Sequence, residues 1–223
     1  MDPLNHALIA WMIANSFDVD TRTRRFCLLA GVIPDLDGIP ILFDEQLFQA
    51  VHHTFGHTLL FGVLVSLVLA LFLEKKRLGF SVILLGFAAH LGADIIGSNW
   101  PVPMFAPFLP AQISVSPYVS DFVIYSVIGP VFLVLGTLAA VLILVRLKRT
   151  PMEFFSKRWD GIMVNFLTLP FKERCYLCGK RAFLVCEDCN RTVCMSHVDE
   201  STKRILCTPC TDSTGNVNQG ADT

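Results

Sequence analysis

Three histidines fall within six residues, at His52, His53 and His57, and residues 58–73 that follow carry no charge. The next apolar run, residues 78–96, ends with His90 and Asp94, four apart and so on one face of a helix. If the two runs are antiparallel helices joined at Glu74-Lys75-Lys76-Arg77, the start of the first lies beside the end of the second, and His57 comes close to His90 and Asp94. Imidazole with carboxylate suits zinc, manganese or iron(II), and neutral histidine with ionised aspartate offsets divalent charge at the edge of an apolar layer. Further candidates are His6, near the start of the chain, and Asp35 and Asp37 in the segment 31–38. This donor set exceeds the needs of one tetrahedral ion, so one or two divalent metals are expected. A metal there lowers the pKa of water toward 7 and stabilises charge on a phosphoryl or acyl oxygen, with Asp35, Asp37 or Asp94 available as base where it is not a ligand.

A second set of residues carries different chemistry. Four pairs, Cys175/Cys178, Cys186/Cys189, Cys194/His197 and Cys207/Cys210, each have two residues between the ligands. Two pairs close one tetrahedral zinc site, so the eight ligands hold two structural zinc ions. About 36 residues with few apolar side chains do not bury a stable core unaided, and zinc takes its place. Interleaved and sequential pairings both satisfy the spacing. Disulfides are disfavoured by the histidine at a ligand position and by an expected cytoplasmic location. Cys27 stands apart in an apolar segment and reads as a buried, inert thiol.

The elements that must position these residues are helical. With 53% hydrophobic and 17% charged residues in 223, the chain is too apolar for an ordinary soluble domain. The expected fold class is all-α, a polytopic helical membrane domain followed by a small cytoplasmic zinc-binding module. Residues 4–17 and 21–34 read as two short helices, each below the roughly 20 residues of a full span. Proline and glycine end the second, leaving Asp35 and Asp37 alternating in extended chain so that both can face one cavity. Residues 39–51 form an amphipathic connector. Residues 97–121 hold five prolines with Trp100, Phe105 and Phe108 and read as an interfacial loop or lid. Residues 122–145 are uncharged, a clear spanning helix with a kink expected at Gly129-Pro130.

Up-down packing then gathers His6, Asp35, Asp37, His52, His53, His57, His90 and Asp94 on one side. The basic clusters at Arg22, Lys75 and Arg146 fall on the other, which the positive-inside rule makes cytoplasmic. The protein is therefore expected in the cell membrane, with the polar cluster toward the outer side and the C-terminus in the cytoplasm. The expected domains are 1–149, membrane-embedded; 150–174, an interfacial amphipathic linker; 175–210, the two-zinc module; and 211–223, a disordered tail.

His6, the segment ending Pro34-Asp35-Leu36-Asp37, His52 five residues before His57, His90 with Asp94, and the Trp100-Pro101 and Pro107-Phe108 elements resemble a family of membrane-bound metal-dependent hydrolases that includes a LexA-regulated bacterial inner-membrane protein. The resemblance covers about residues 1–150. The family's His-Arg-Gly-x-Thr-His-Ser segment is matched at His52 and His57, with His53, Thr54, Gly56 and Thr58 at the other places. It implies a metal-dependent hydrolase. The cysteine pattern resembles B-box and related cross-brace fingers. On that resemblance Cys175, Cys178, Cys194 and His197 share one ion, and Cys186, Cys189, Cys207 and Cys210 the other.

The function expected from this reading is hydrolysis of a phosphoester or ester near the membrane surface. The alternative is a non-catalytic metal-binding scaffold or metal transporter. Partners are the lipid bilayer, a phosphoester or lipid substrate and a cytoplasmic protein bound by the zinc module; no nucleic-acid partner is expected.

Overall fold

The computed structural model describes residues 3–168, 174–182, 184–189, 191–199 and 205–215. The chain divides into two units, residues 1–142 and 143–223.

In the first unit α1 (Pro3–Asn15) and α2 (Thr21–Ala30) form a short antiparallel pair. Asp20 caps α2, its carboxylate accepting from the Thr23 N–H at 2.8 Å. The turn between the two helices is held by Arg24, whose buried guanidinium donates to the Val19 carbonyl. After α2 the chain does not run extended, as expected for Asp35 and Asp37. It winds into a 3₁₀ helix, Ile33–Leu42, because Pro34 fits a first-turn position where no N–H is needed. The expected connector contains α3 (Glu45–Val51), capped by Asp44. A single 3₁₀ turn, Phe55–His57, then leads into α4 (Leu59–Ala70), where the Thr58 hydroxyl accepts from the Phe61 N–H at 3.1 Å.

The central element is α5 (Lys76–Gly97), against which α1, α2 and α4 pack. Its buried face carries Val82, Ile83, Phe87 and Leu91. Close approach needs small residues, as is usual between membrane helices. A Cβ at Gly62 would lie 2.4 Å from the Phe87 ring, and one at Gly31 2.4 Å from Ala10 Cβ. The proline-rich segment after α5 is tied down: the Leu59 N–H donates to the Met104 carbonyl, Val115 N–H to the Ile95 carbonyl, and Val102 pairs with Ile113.

Then α6 (Asp121–Val123), a π-helical turn (Ile124–Ile128) and α7 (Gly129–Leu147) form one helical run. The irregularity expected at Gly129-Pro130 takes the form of this π turn, which gives the Gly129 N–H to the Ile124 carbonyl just ahead of a residue that has no N–H. Lys76–Gly97 and Asp121–Leu147, of 22 and 27 residues, are long and apolar enough to cross a membrane. Glu45–His57 with Leu59–Ala70, bent by 65°, makes a third span if the pair counts as one.

The second unit contains α8 (Lys157–Thr168), a two-stranded antiparallel sheet of β1 (Leu184–Val185) and β2 (Thr192–Val193), and α9 (Thr208–Gly215). The structure is mostly helical, as the all-α expectation has it, and this hairpin of two-residue strands is the departure from it among the described residues. Ile162 of α8, in the segment read as an interfacial amphipathic linker, packs on the core of Leu184, Val193, Val198 and Ile205. Phe155, Trp159, Phe166 and Leu167 remain exposed. Residues 211–215 of the expected disordered tail are helical; 216–223 lie outside the described residues.

Candidate metal centres

Four polypeptide breaks meet at one end of the first unit, and each delivers a donor. His6 comes from the first turns of α1, Asp35 from the 3₁₀ helix, His53 and His57 from the break between α3 and α4, and His90 and Asp94 from the last turns of α5. All but Asp35, which is half-buried, are buried, with Asp94 and His57 at 0% exposure. The atoms form two overlapping groups, each compact enough for one ion: His6, Asp35, His90 and Asp94; and His53, His57 and Asp94.

Asp94 is common to both. Its Oδ1 lies 3.1 Å from His6 Nε2, and its Oδ2 lies 3.0 Å from His90 Nε2, 3.5 Å from His57 Nε2 and 3.8 Å from His53 Nε2. Asp35 Oδ1 is 3.7 Å from His90 Nε2 and 3.9 Å from His57 Nε2.

The hydrogen bonds behind these rings fix where their lone pairs point. His90 Nδ1 faces the Gly31 carbonyl at 2.9 Å, and a carbonyl only accepts, so Nδ1 carries the proton. His57 Nδ1 faces Asp37 Oδ2 at 3.0 Å, so it too is the donor. In the neutral rings both Nε2 atoms are then bare, yet they stand 3.3 Å apart beside the Asp94 carboxylate. Such a centre has acceptors on every side. A proton on one ring relieves one pair; a divalent cation relieves them all. His6 Nδ1, Asp35 Oδ2 and His53 Nδ1 are also buried without a hydrogen bond. The donor set fits a metal.

Asp37 and His52 have another place. They lie outside both groups: the two Asp37 oxygens accept from His52 Nδ1 at 2.8 Å and from His57 Nδ1 at 3.0 Å. Burial raises the Asp37 pKa, but these two hydrogen bonds outweigh it and hold the carboxyl down at about 2. Asp37 orients imidazoles as carboxylates behind metal-bound histidines do. The parts that three further residues play at the site were not read from the sequence. The Gly31 carbonyl holds His90, Trp100 packs against His52 at 5.3 Å between ring centroids, and Gly56 leaves room for Asp37, which a Cβ there would approach to 3.3 Å. A carbonyl's direction and a stacking partner leave no trace in residue spacing.

His53 adopts φ 54°, a left-handed backbone that non-glycine residues seldom take and that is commonest at functional sites. An open cleft of about 690 Å³ reaches the cluster, lined by Asn5, Asp35, His52, His53, Ser98 and Trp100 among others.

In the second unit the four pairs interleave: Cys175, Cys178, Cys194 and His197 make one group, and Cys186, Cys189, Cys207 and Cys210 the other. Cys178 Sγ and Cys194 Sγ are 3.7 Å apart, as are Cys189 Sγ and Cys207 Sγ. That is far beyond a disulfide bond but matches the ~3.8 Å edge of a tetrahedron with 2.3 Å zinc–sulfur bonds. Burial pushes the Cys175 thiol up, but hydrogen bonds with the Cys194, Leu177 and Cys178 backbone outweigh it and bring it to about 6. Cys186 is likewise brought to about 6 against burial, by the backbone of Cys189, Cys207 and Asp188. Thiolates are the metal-binding form.

These features define a helical membrane protein with a buried histidine-aspartate cluster and cysteine groups that could bind metal. The chain belongs to the YdjM inner membrane protein family, whose profile matches residues 1–153. The match ends ahead of the cysteine pairs. No curated protein and no solved structure matches the chain.

Proposed function

We propose that the first unit is a metal-dependent hydrolase of a phosphoester or ester at the membrane surface. The observation that carries this reading is the convergence of His57 Nε2, His90 Nε2 and Asp94 Oδ2 within 3.5 Å, with both rings turned by hydrogen bonds to Gly31 and Asp37. One or two divalent ions, zinc, manganese or iron(II), would be held by His6, Asp35, His90 and Asp94 and by His53, His57 and Asp94. When bound, they supply a Lewis acid and a water made acidic near neutral pH.

The chain's own residues divide the remaining work. Asp94 joins the two groups through its two oxygens. Asp35 lines the cleft and has Oδ2 without a hydrogen bond, which suits it to take a proton from water when only the other oxygen, or neither, is committed to an ion. Asp37, with both oxygens already accepting, positions His57 and His52 rather than acting as the base. Trp100 and His52 wall the cleft.

A metal transporter would need a polar path past the cluster. Beneath it Ala10, Ala14, Cys27, Ile83, Phe87 and Leu91 are all fully buried, an apolar plug that favours a closed catalytic site. The positive-inside rule assigns the basic helix ends and the chain after Arg146 to the cytoplasm, with the cluster toward the outer side. The cysteine module, with two closed zinc sites, is structural and serves to bind a protein partner.

The test is phosphate release from a chromogenic phosphoester by detergent-purified full-length protein loaded with Zn²⁺ or Mn²⁺. Activity is expected in the parent and lost in His57→Ala and Asp94→Asn. An inactive parent that binds metal in the first unit would overturn the hydrolase reading.

A further inference from the structure

Three cavities follow one another through shared residues. His53 lines the polar cleft with Asp35 and Trp100, and it also lines an apolar groove of about 420 Å³ bounded by Phe55, Leu60, Pro103 and Ala106. Leu60 and Ala106 are shared with a third groove, of about 310 Å³, which continues past Val63, Phe108 and Leu109. From the Thr58 cap to Val63 this track follows α4 for about 8 Å at the helical rise. Leu64, Leu67 and Phe108 beside it are exposed, so its far end opens where hydrocarbon lies. The cleft, which Asp35, His52 and Ser98 also line, is a second approach to the cluster.

We propose that the track holds the hydrocarbon tail of a phosphorylated lipid whose phosphoryl group lies at the histidine-aspartate cluster. The inference rests on the hydrolase reading and adds the substrate class. A water oxygen bonds to phosphorus while the bond from phosphorus to the lipid oxygen breaks with its electron pair. The proton lost by water ends on that lipid oxygen. A lipid alcohol stays in the groove and inorganic phosphate leaves by the cleft.

Continuity with the cluster sets this track apart. Another apolar cavity, of about 330 Å³ at Ile9, Met12, Ala89 and Phe132, touches none of the donors and is what any lipid-facing helix pair leaves. The track instead ends on His53, a residue in left-handed conformation, whose Nε2 is 3.8 Å from Asp94. A water-soluble phosphoester would have no use for an apolar groove lined at one end by a ligand histidine.

Phosphate release from butyl, hexyl and dodecyl phosphate is measured with the full-length protein in lipid nanodiscs with Mn²⁺. Because each buried methylene adds to binding, kcat/KM for dodecyl phosphate is expected to exceed that for butyl phosphate by about tenfold or more. Leu60→Trp, where the two grooves join, lowers that ratio by about tenfold. Val63→Trp, farther along, lowers the dodecyl-to-hexyl ratio instead and carries the test if Leu60→Trp loses Mn²⁺ binding. Rates independent of chain length, or a preference untouched by both tryptophans, would overturn the groove assignment and leave the hydrolase reading standing. If Mn²⁺ binds and no ester is cleaved, the hydrolase reading fails and this inference with it.

Discussion

Replacing Asp37 by asparagine tests whether the ring orientations make the metal centre. The carboxylate accepts from His52 Nδ1 at 2.8 Å through one oxygen and from His57 Nδ1 at 3.0 Å through the other. An asparagine amide has one accepting oxygen, so one imidazole keeps its hydrogen bond and the other meets an NH₂ group. If His52 is displaced, the loss is mainly the negative charge that makes His57 a better ligand, because His52 is outside both donor groups. If His57 is displaced, its proton moves to Nε2 and it stops being a ligand. Losing such a carboxylate weakens metal binding by about 10- to 100-fold, or about 1.4–2.7 kcal/mol. The assay is Mn²⁺ titration of full-length protein with free Mn²⁺ followed by electron paramagnetic resonance. Manganese prefers oxygen and imidazole donors to thiolates and so reads this centre rather than the cysteine groups. Asp94→Asn, which alters a carboxylate common to both groups, should abolish measurable binding. An Asp37→Asn affinity indistinguishable from the parent would refute the role assigned to Asp37.

Further outcomes are expected from the same geometry. His53→Asn keeps a residue that tolerates the left-handed backbone but removes the donor of one group, and His6→Asn removes a donor of the other, so each should lower bound metal in the first unit by one ion; if either empties the centre, it holds a single ion. Gly62→Ala drives a methyl into the Phe87 ring and should cost about 1–3 kcal/mol in thermal unfolding, whereas Gly92→Ala, with nothing within 4 Å, should be neutral or stabilising; equal effects would contradict the packing of α4 on α5. Cys175→Ser with Cys194→Ser should remove one zinc ion by elemental analysis, since both belong to one group, while Cys175→Ser with Cys186→Ser should remove two; the reverse result would mean sequential pairing. Acidification should weaken zinc binding progressively below about pH 6, where the depressed Cys175 and Cys186 thiols of the metal-free site regain protons and compete with zinc, as followed by zinc titration against a chromogenic chelator; an affinity unchanged between pH 7 and pH 5 would contradict this.

Much of this arrangement is legible in residue types. The apolar runs place α4 and α5, and the spacing of His90 and Asp94 puts them on one face. Local winding is less visible. Asp35 and Asp37 alternate in sequence, and in extended chain they would share a side. The 3₁₀ turn started at Pro34 instead sends Asp35 toward His90 and Asp37 toward His52 and His57, which gives two similar carboxylates different surroundings. Nor does spacing reveal that α8 joins the cysteine module, because the partner of Ile162 is supplied by residues about 20 or more positions later, in β1 and at Ile205.

The break between α3 and α4 explains why the cluster can exist at the edge of an apolar layer. A continuous helix through residues 45–70 would satisfy its backbone and keep His53 and His57, four apart, on one face, but it would turn His52 to another. Bending by 65° frees backbone groups that must find partners. The Thr58 hydroxyl takes the Phe61 N–H and the Met104 carbonyl takes the Leu59 N–H, so the proline-rich segment is a structural requirement of the break as well as a wall of the groove. The left-handed turn at His53 then stacks its ring on His57 at 4.0 Å between centroids, bringing two histidines from one short segment to the same carboxylate. Non-helical backbone is tolerated at such depth where it lines a cavity, and here the cavity is the one that carries the donors.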